Sequence, residues 1–85
     1  MTAAEAVAQA QKDYVAIILT DDAVAFARGL PGERLRWLAV KLTVMLGPEP
    51  EGGRKMEQAS REEPTSAAGA VFNEVLRRGK EQGHL

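Results

Sequence analysis

The sequence predicts an all-α fold, a small bundle of three main helices plus one short helix that is completed by dimerisation. No stretch alternates apolar and polar residues over several positions, so strands are not favoured. Apolar residues instead recur at three- and four-residue spacings, and capping residues separate the segments. The 85 residues suffice for a single helical domain, 1–85, and its core is thin because the chain has few aromatic residues and no cysteine.

The first helix is predicted over residues 3–19, a segment rich in alanine with glutamate and glutamine, all of which are good helix formers. Its apolar stripe follows a 4-3-4-3 spacing through Ala3, Val7, Ala10, Tyr14 and Ile17. We therefore expect this stripe to face the core.

A short second helix is predicted over residues 21–28. The run from Thr20 to Asp22 can accept hydrogen bonds from the free N–H groups of a first helical turn. Gly29 is the expected left-handed cap at its end, and Pro31 suits the start of the following helix.

The third helix, predicted over residues 32–46, has two apolar sides. One side carries the residues expected to face the core: Leu35, Leu38, Ala39, Leu42, Met45 and Leu46. The roughly opposite side carries Trp37, Val40 and Val44. A chain this short has little material for a second covering layer, so these three residues are predicted to form a partner or dimer interface. Trp37 is the expected anchor of this interface because tryptophan dominates interface hot spots. The alternative interpretation is that Trp37 is buried in the core of the subunit against the last helix.

Residues 47–63 are predicted to be a flexible linker. Two prolines and three glycines between residues 47 and 54 argue against a regular element there. Residues 55–63 are charged and polar apart from Met56 and Ala59, and they are expected to be either a short exposed helix or disordered. The last helix is predicted over 65–78 from the spacing of its apolar residues. Together these elements predict a subunit core that includes Val24, Leu35, Leu38, Leu42, Phe72 and Val75.

The charges are unevenly distributed although the net charge is only −1. The predicted first helix is acidic, whereas segment 28–46 is basic. This basic segment either pairs with the acidic helix or contacts a nucleic acid or an acidic partner through Arg34, Arg36 and Lys41. The four-residue spacing of Ala25 and Gly29 is compatible with a helix-turn-helix. An alternative function is therefore a dimeric helix-turn-helix DNA-binding transcriptional regulator that uses the 32–46 helix.

Residues that could carry out chemistry are few. His84 is the sole histidine and the penultimate residue, and no cysteine is present for a Cys–His pair. The adjacent carboxylates Asp21 and Asp22 would point about 100° apart on a helix, so a capping role fits them better. The sequence predicts no catalytic, cofactor-binding or metal-binding residue and no small-molecule substrate. The abundant alanine, glycine and arginine are compatible with a bacterial or phage origin.

The longest apolar run, Val15 to Leu19, is far shorter than the ~20 residues that a membrane-spanning helix needs. The first residues lack the basic charge of a secretory signal, because Glu5 precedes Lys12. A cytoplasmic protein without a membrane contact is expected. By elimination, the leading prediction is a small non-enzymatic regulatory or accessory protein that binds another protein, itself as a homodimer, or both.

Overall fold

The structure, a computed structural model, describes residues 1–83, which fold as five α-helices. The all-α prediction is confirmed. His84 and Leu85 lie outside the described residues, so the expectation for His84 is not addressed. The helices are α1 (Ala3–Leu19), α2 (Ala23–Arg28), α3 (Gly32–Leu46), α4 (Glu51–Glu62) and α5 (Ala67–Glu81).

Helix α1 begins with a capping box, in which the Thr2 hydroxyl accepts from the Glu5 N–H and the Glu5 carboxylate accepts from the Thr2 N–H. Its buried side consists of Ala6, Ala10, Asp13 and Ile17. The predicted stripe is therefore rotated, because Ala3 and Val7 are exposed. Asp13 can lie on the inner side, where an apolar residue would be usual, because it forms an ion pair with Arg34.

The chain breaks after α1 as predicted, and Asp22 caps α2 by accepting from the Ala25 N–H at 3.0 Å. Gly29 was expected to be left-handed, but it is right-handed, with φ −81°. The reason is that α2 ends in a tight right-handed turn in which the Gly29 N–H donates to Ala25 and Phe26. The Arg78 guanidinium closes the same end by donating to the carbonyls of Ala27 and Arg28.

Helix α3 is the centre of the fold, because α1, α4 and α5 all pack against it. Leu35, Leu38 and Leu42 are buried as predicted. The other three predicted core residues are only partly buried and pack against the outside of the core: Val24, Phe72 and Val75.

Helix α4 occupies Glu51–Glu62, so the predicted linker is wrong over residues 51–54, and the helical alternative for residues 55–63 is the correct one. This helix is packed and not merely exposed. Helix α4 packs against α3 and α5 and buries Gly52, Met56 and Ala59, a 4-3 spacing. The glycine at position 52 is compatible with the helix because the backbone of α4 closely approaches the backbone at the end of α3 there. A β-carbon built there would lie 2.3 Å from the Thr43 carbonyl oxygen and 2.4 Å from that of Gly47.

Helix α5 begins at Ala67, two residues later than predicted, and continues to Glu81. Ser66 is its cap and accepts from the Gly69 N–H at 3.0 Å. The buried Glu74 carboxylate accepts hydrogen bonds from Arg77 and Arg78. Because Arg78 also binds the end of α2, this network fastens α5 to α2. The hydrogen bonds from Arg77, opposed by burial and aided by those from Arg78, hold the pKa of Glu74 below its ordinary value.

The two neighbouring glycines of α4 give a matched test of this packing. Gly52→Ala forces the α3 and α4 backbones apart and is expected to lower the free energy of unfolding by about 1–3 kcal/mol. Gly53→Ala meets no atom within 4 Å and is expected to raise it by about 0.5–1 kcal/mol, since alanine is the better helix former. Urea unfolding of both variants measures the difference, and equal effects would contradict the close approach at Gly52.

Candidate interaction surface on helices α1 and α3

The exposed large hydrophobic side chains of residues 1–83 come from two of the five helices and from the start of the chain. They belong to α1, to the residue at the start of the chain, and to α3, and none belongs to α2, α4 or α5. They are Met1, Val7, Val15, Ile18, Leu19, Val40, Val44 and Met45. Four of them, Val7, Val40, Val44 and Met45, line one groove between α1 and α3. A cluster of this kind is typical of an interaction surface, whereas single exposed hydrophobic residues are ordinary.

A shallow groove of about 360 Å³ runs between α1 and α3. We call its lining the α1/α3 face: Val7, Ala10, Gln11, Trp37, Val40, Lys41, Val44 and Met45. The structure thus brings together Trp37, Val40 and Val44, the three residues predicted to form an interface. Val40 is 54% exposed and Val44 is 69% exposed, so both are available for contact.

Trp37 is half-buried and lines the groove beside Val7, Ala10 and Gln11 of α1. Its neighbours in the groove are therefore α1 residues, not the last helix that the alternative interpretation named. The indole presents part of its surface to solvent within an apolar border. Its role as an interface anchor stays a prediction.

Sequence reasoning missed Val7 and Met45 because it assigned both of them to the core. Met45 is 53% exposed and Val7 is 59% exposed. The available signal was charge: if Asp13 pairs with an arginine of segment 28–46, then Asp13 faces α3 and α1 must rotate. Val7 lies six positions before Asp13, which places it about 120° away around the helix. When Asp13 faces α3, Val7 therefore lies towards the edge of the contact between α1 and α3.

A buried ion pair sets the position of α1 against α3. The Arg34 guanidinium donates two hydrogen bonds to the Asp13 carboxylate, at 3.1 and 2.6 Å, and the Gln9 amide donates a third at 3.1 Å. The side chain of Asp13 is only 3% exposed. Burial raises the pKa of Asp13, but the hydrogen bonds from Arg34 and Gln9 and the charge of Arg34 outweigh it and hold the pKa below its ordinary value.

The three basic residues proposed for nucleic acid or an acidic partner do not form one surface. Arg34 is paired with Asp13, as expected if the basic segment pairs with the acidic helix. The Lys41 ammonium lies over the Tyr14 ring, 5.5 Å from its centre. Arg36 is exposed in a different depression, between α3 and the end of α5, beside Arg78 and Gln82.

The chemistry available elsewhere is limited in the part of the chain that the structure describes. Residues 1–83 contain no group of three or more His, Cys, Asp or Glu side chains placed to hold a metal ion. Asp22 is used as the cap of α2. Among the same residues, every helix is too short or too polar to cross a membrane.

Comparison of the chain with protein-family models, with curated protein sequences and with solved structures finds no significant match.

The Asp13–Arg34 pair predicts how stability depends on pH. Because the folded pKa of Asp13 lies below the unfolded value of about 4, the pair stabilises the fold above that value and loses its effect as the pH falls through the folded pKa. Asp13→Asn is therefore expected to cost about 2 kcal/mol at pH 7 and progressively less below about pH 4.

Urea unfolding across this pH range gives the difference between the wild type and the variant. Asp21→Asn, at an exposed carboxylate, is the matched control and should change stability by no more than about 0.5 kcal/mol. A cost for Asp13→Asn that does not vary with pH would contradict the assignment.

Proposed function

We propose that this chain is a non-enzymatic protein-binding module, a small regulatory or accessory protein that acts through the α1/α3 face. A cytoplasmic location belongs to the same proposal and is supported by the absence of cysteine, which suits a reducing compartment. The observation that carries the proposal is the segregation of exposed large hydrophobic residues to α1 and α3.

The composition of the face supports a protein as the ligand. Trp37 lies among Val40, Val44 and Met45, and an aromatic anchor bordered by aliphatic residues is typical of hot spots. Lys41 is the one charged residue of the lining, and it lies over Tyr14. Charge is depleted at the centre of protein interfaces, so this environment fits a partner whose contacting surface is also apolar.

Helix α4 differs in character from the α1/α3 face. Helix α4 exposes charged side chains, with ion pairs between Lys55 and Glu51 and between Arg61 and Glu57 at i,i+4 spacing. Such pairs at exposed positions contribute little to stability, but they keep this side hydrated. The chain therefore combines an apolar α1/α3 face with a charged, hydrated helix α4.

DNA binding through α3 has less support. A recognition helix needs an accessible basic surface that can reach phosphates or base edges. Here Arg34 and Lys41 contact α1, and the outward side of α3 carries Val40 and Val44 instead.

The proposal predicts that Val44→Glu abolishes partner binding while leaving the fold intact, because Val44 is 69% exposed and its replacement puts a charge into the contact. The measurement is capture from the source lysate on immobilised wild-type chain and on the variant, with and without nuclease and at low and high salt. A stoichiometric protein partner, including the chain itself, should be retained by the wild type and lost with Val44→Glu.

Ala25→Glu is the matched control, since it also replaces an exposed apolar residue by glutamate, but on α2. It should capture as much partner as the wild type. The proposal is overturned if Val44→Glu captures the same protein equally well. It is also overturned if the wild type retains only DNA that is released by salt and is weakened by Arg36→Ala, because phosphate contacts are steeply salt-dependent.

A further inference from the structure

We infer that the occupant of the α1/α3 face is a second copy of this chain, and that the functional unit is a two-fold symmetric dimer. This inference rests on the proposed function, because it names the partner of the same surface. Four observations carry it: the balance of buried and exposed side chains, the shape of the α3 stripe, the area available and the scarcity of charge.

The isolated chain leaves more large hydrophobic side chains outside than inside. Thirteen hydrophobic residues are buried in residues 1–83, and six of them are alanines. The seven larger ones are Ile17, Leu30, Leu35, Leu38, Leu42, Met56 and Val71, against eight large hydrophobic residues that are exposed. Four of these eight, Val7, Val40, Val44 and Met45, line the α1/α3 face, and the one partner present wherever the chain is made is the chain itself.

The outward stripe of α3 is suited to packing against itself. Trp37, Val40 and Val44 follow the 3-4 spacing that allows a helix to interdigitate with a neighbour. In an antiparallel pair related by a two-fold axis, the large Trp37 of one copy lies opposite the smaller valines of the other. The same large-to-small contact then forms twice, as a self-complementary interface requires.

A dimer needs only a modest fraction of the chain's surface. The described chain exposes 5448 Å². A standard interface buries about 800 Å² on each partner, roughly one-seventh of that total. Four residues of the α1/α3 face, Val7, Val40, Val44 and Met45, are each more than half exposed, so a second copy seated there covers side chains that are open to solvent.

The scarcity of charge favours a permanent dimer over a transient contact with a different protein. Permanent interfaces resemble a protein core cut in half, whereas transient ones carry more polar and charged groups. Apart from Lys41, the lining of the face is apolar except for Gln11. Two copies joined at this face would leave both charged α4 surfaces directed to solvent.

The test is the molar mass of the purified full chain, measured by light scattering and sedimentation from nanomolar to high micromolar concentration. We expect a dimer for the wild type and for Ala25→Glu. The double variant Val40→Glu/Val44→Glu buries four carboxylates per dimer and should raise the dissociation constant by about a thousandfold or more, which gives a monomer. A wild-type chain that stays monomeric at the highest concentration overturns the inference.

Cross-linking keeps the test decisive if the double variant fails to fold. The chain has no cysteine, so Val40→Cys introduces a single thiol in the face and Ala25→Cys introduces one on α2. A short bismaleimide should join two copies of Val40→Cys covalently at low micromolar concentration and leave Ala25→Cys without a cross-link. Equal cross-linking of the two variants, or none with Val40→Cys, overturns the inference.

Failure of this inference can be told apart from failure of the proposed function. If the chain is a monomer but lysate capture still depends on Val44, the face binds a different protein and only the second-copy assignment is wrong. If the chain is a monomer and capture does not depend on Val44, both proposals are wrong.

Discussion

The structure depends on close packing of small residues between its helices. Six of the thirteen buried hydrophobic residues are alanines, and two glycines, Gly52 and Gly69, lie where the β-carbon of any other residue would meet backbone carbonyls. Small residues let helices approach closely, but each of them removes little apolar area from water, and hydrophobic stabilisation scales with that area. The core is therefore compact yet thin, and the larger aliphatic residues of α1 and α3 remain outside it. The alanine-rich interior and the apolar face therefore have the same cause: small residues occupy the helix contacts, and larger aliphatic residues lie outside them.

Two buried carboxylates supplement this core. Asp13 joins α1 to α3 through Arg34, and Glu74 joins α5 to the end of α2 through Arg78. Each carboxylate is almost fully buried, while the arginines retain some contact with solvent. Burying such charges is costly, so these contacts stabilise the fold only because several hydrogen bonds compensate each carboxylate. Their contribution is also positional, because a carboxylate that accepts hydrogen bonds from one particular guanidinium fixes the rotation of its helix.

Much of the fold could be predicted from local signals, and the errors have physical causes. The all-α class, the break at Asp22 and the buried leucines of α3 follow from capping chemistry and apolar spacing. The first turn of α4 was missed because glycine normally weakens a helix, and only the tertiary contact with the end of α3 shows why glycine is needed at position 52. The rotation of α1 was missed because a helix that is apolar nearly all round does not identify its inner side. The candidate site was partly predicted: the doubly apolar α3 pointed to Trp37, Val40 and Val44, whereas Val7 and Met45 required the rotation of α1 to be known.

The Asp13–Arg34 pair connects the stability of the fold with the proposed interaction. Arg34 was a candidate contact for nucleic acid, but its guanidinium is used to hold α1, and α1 supplies one wall of the α1/α3 face. The face exists only while α1 is docked, so whatever covers the face also holds α1 in place. Binding that selects the folded state stabilises it in proportion to the logarithm of partner concentration. For a chain with so thin a core, a partner that covers the face would add its binding free energy to the stability of the fold.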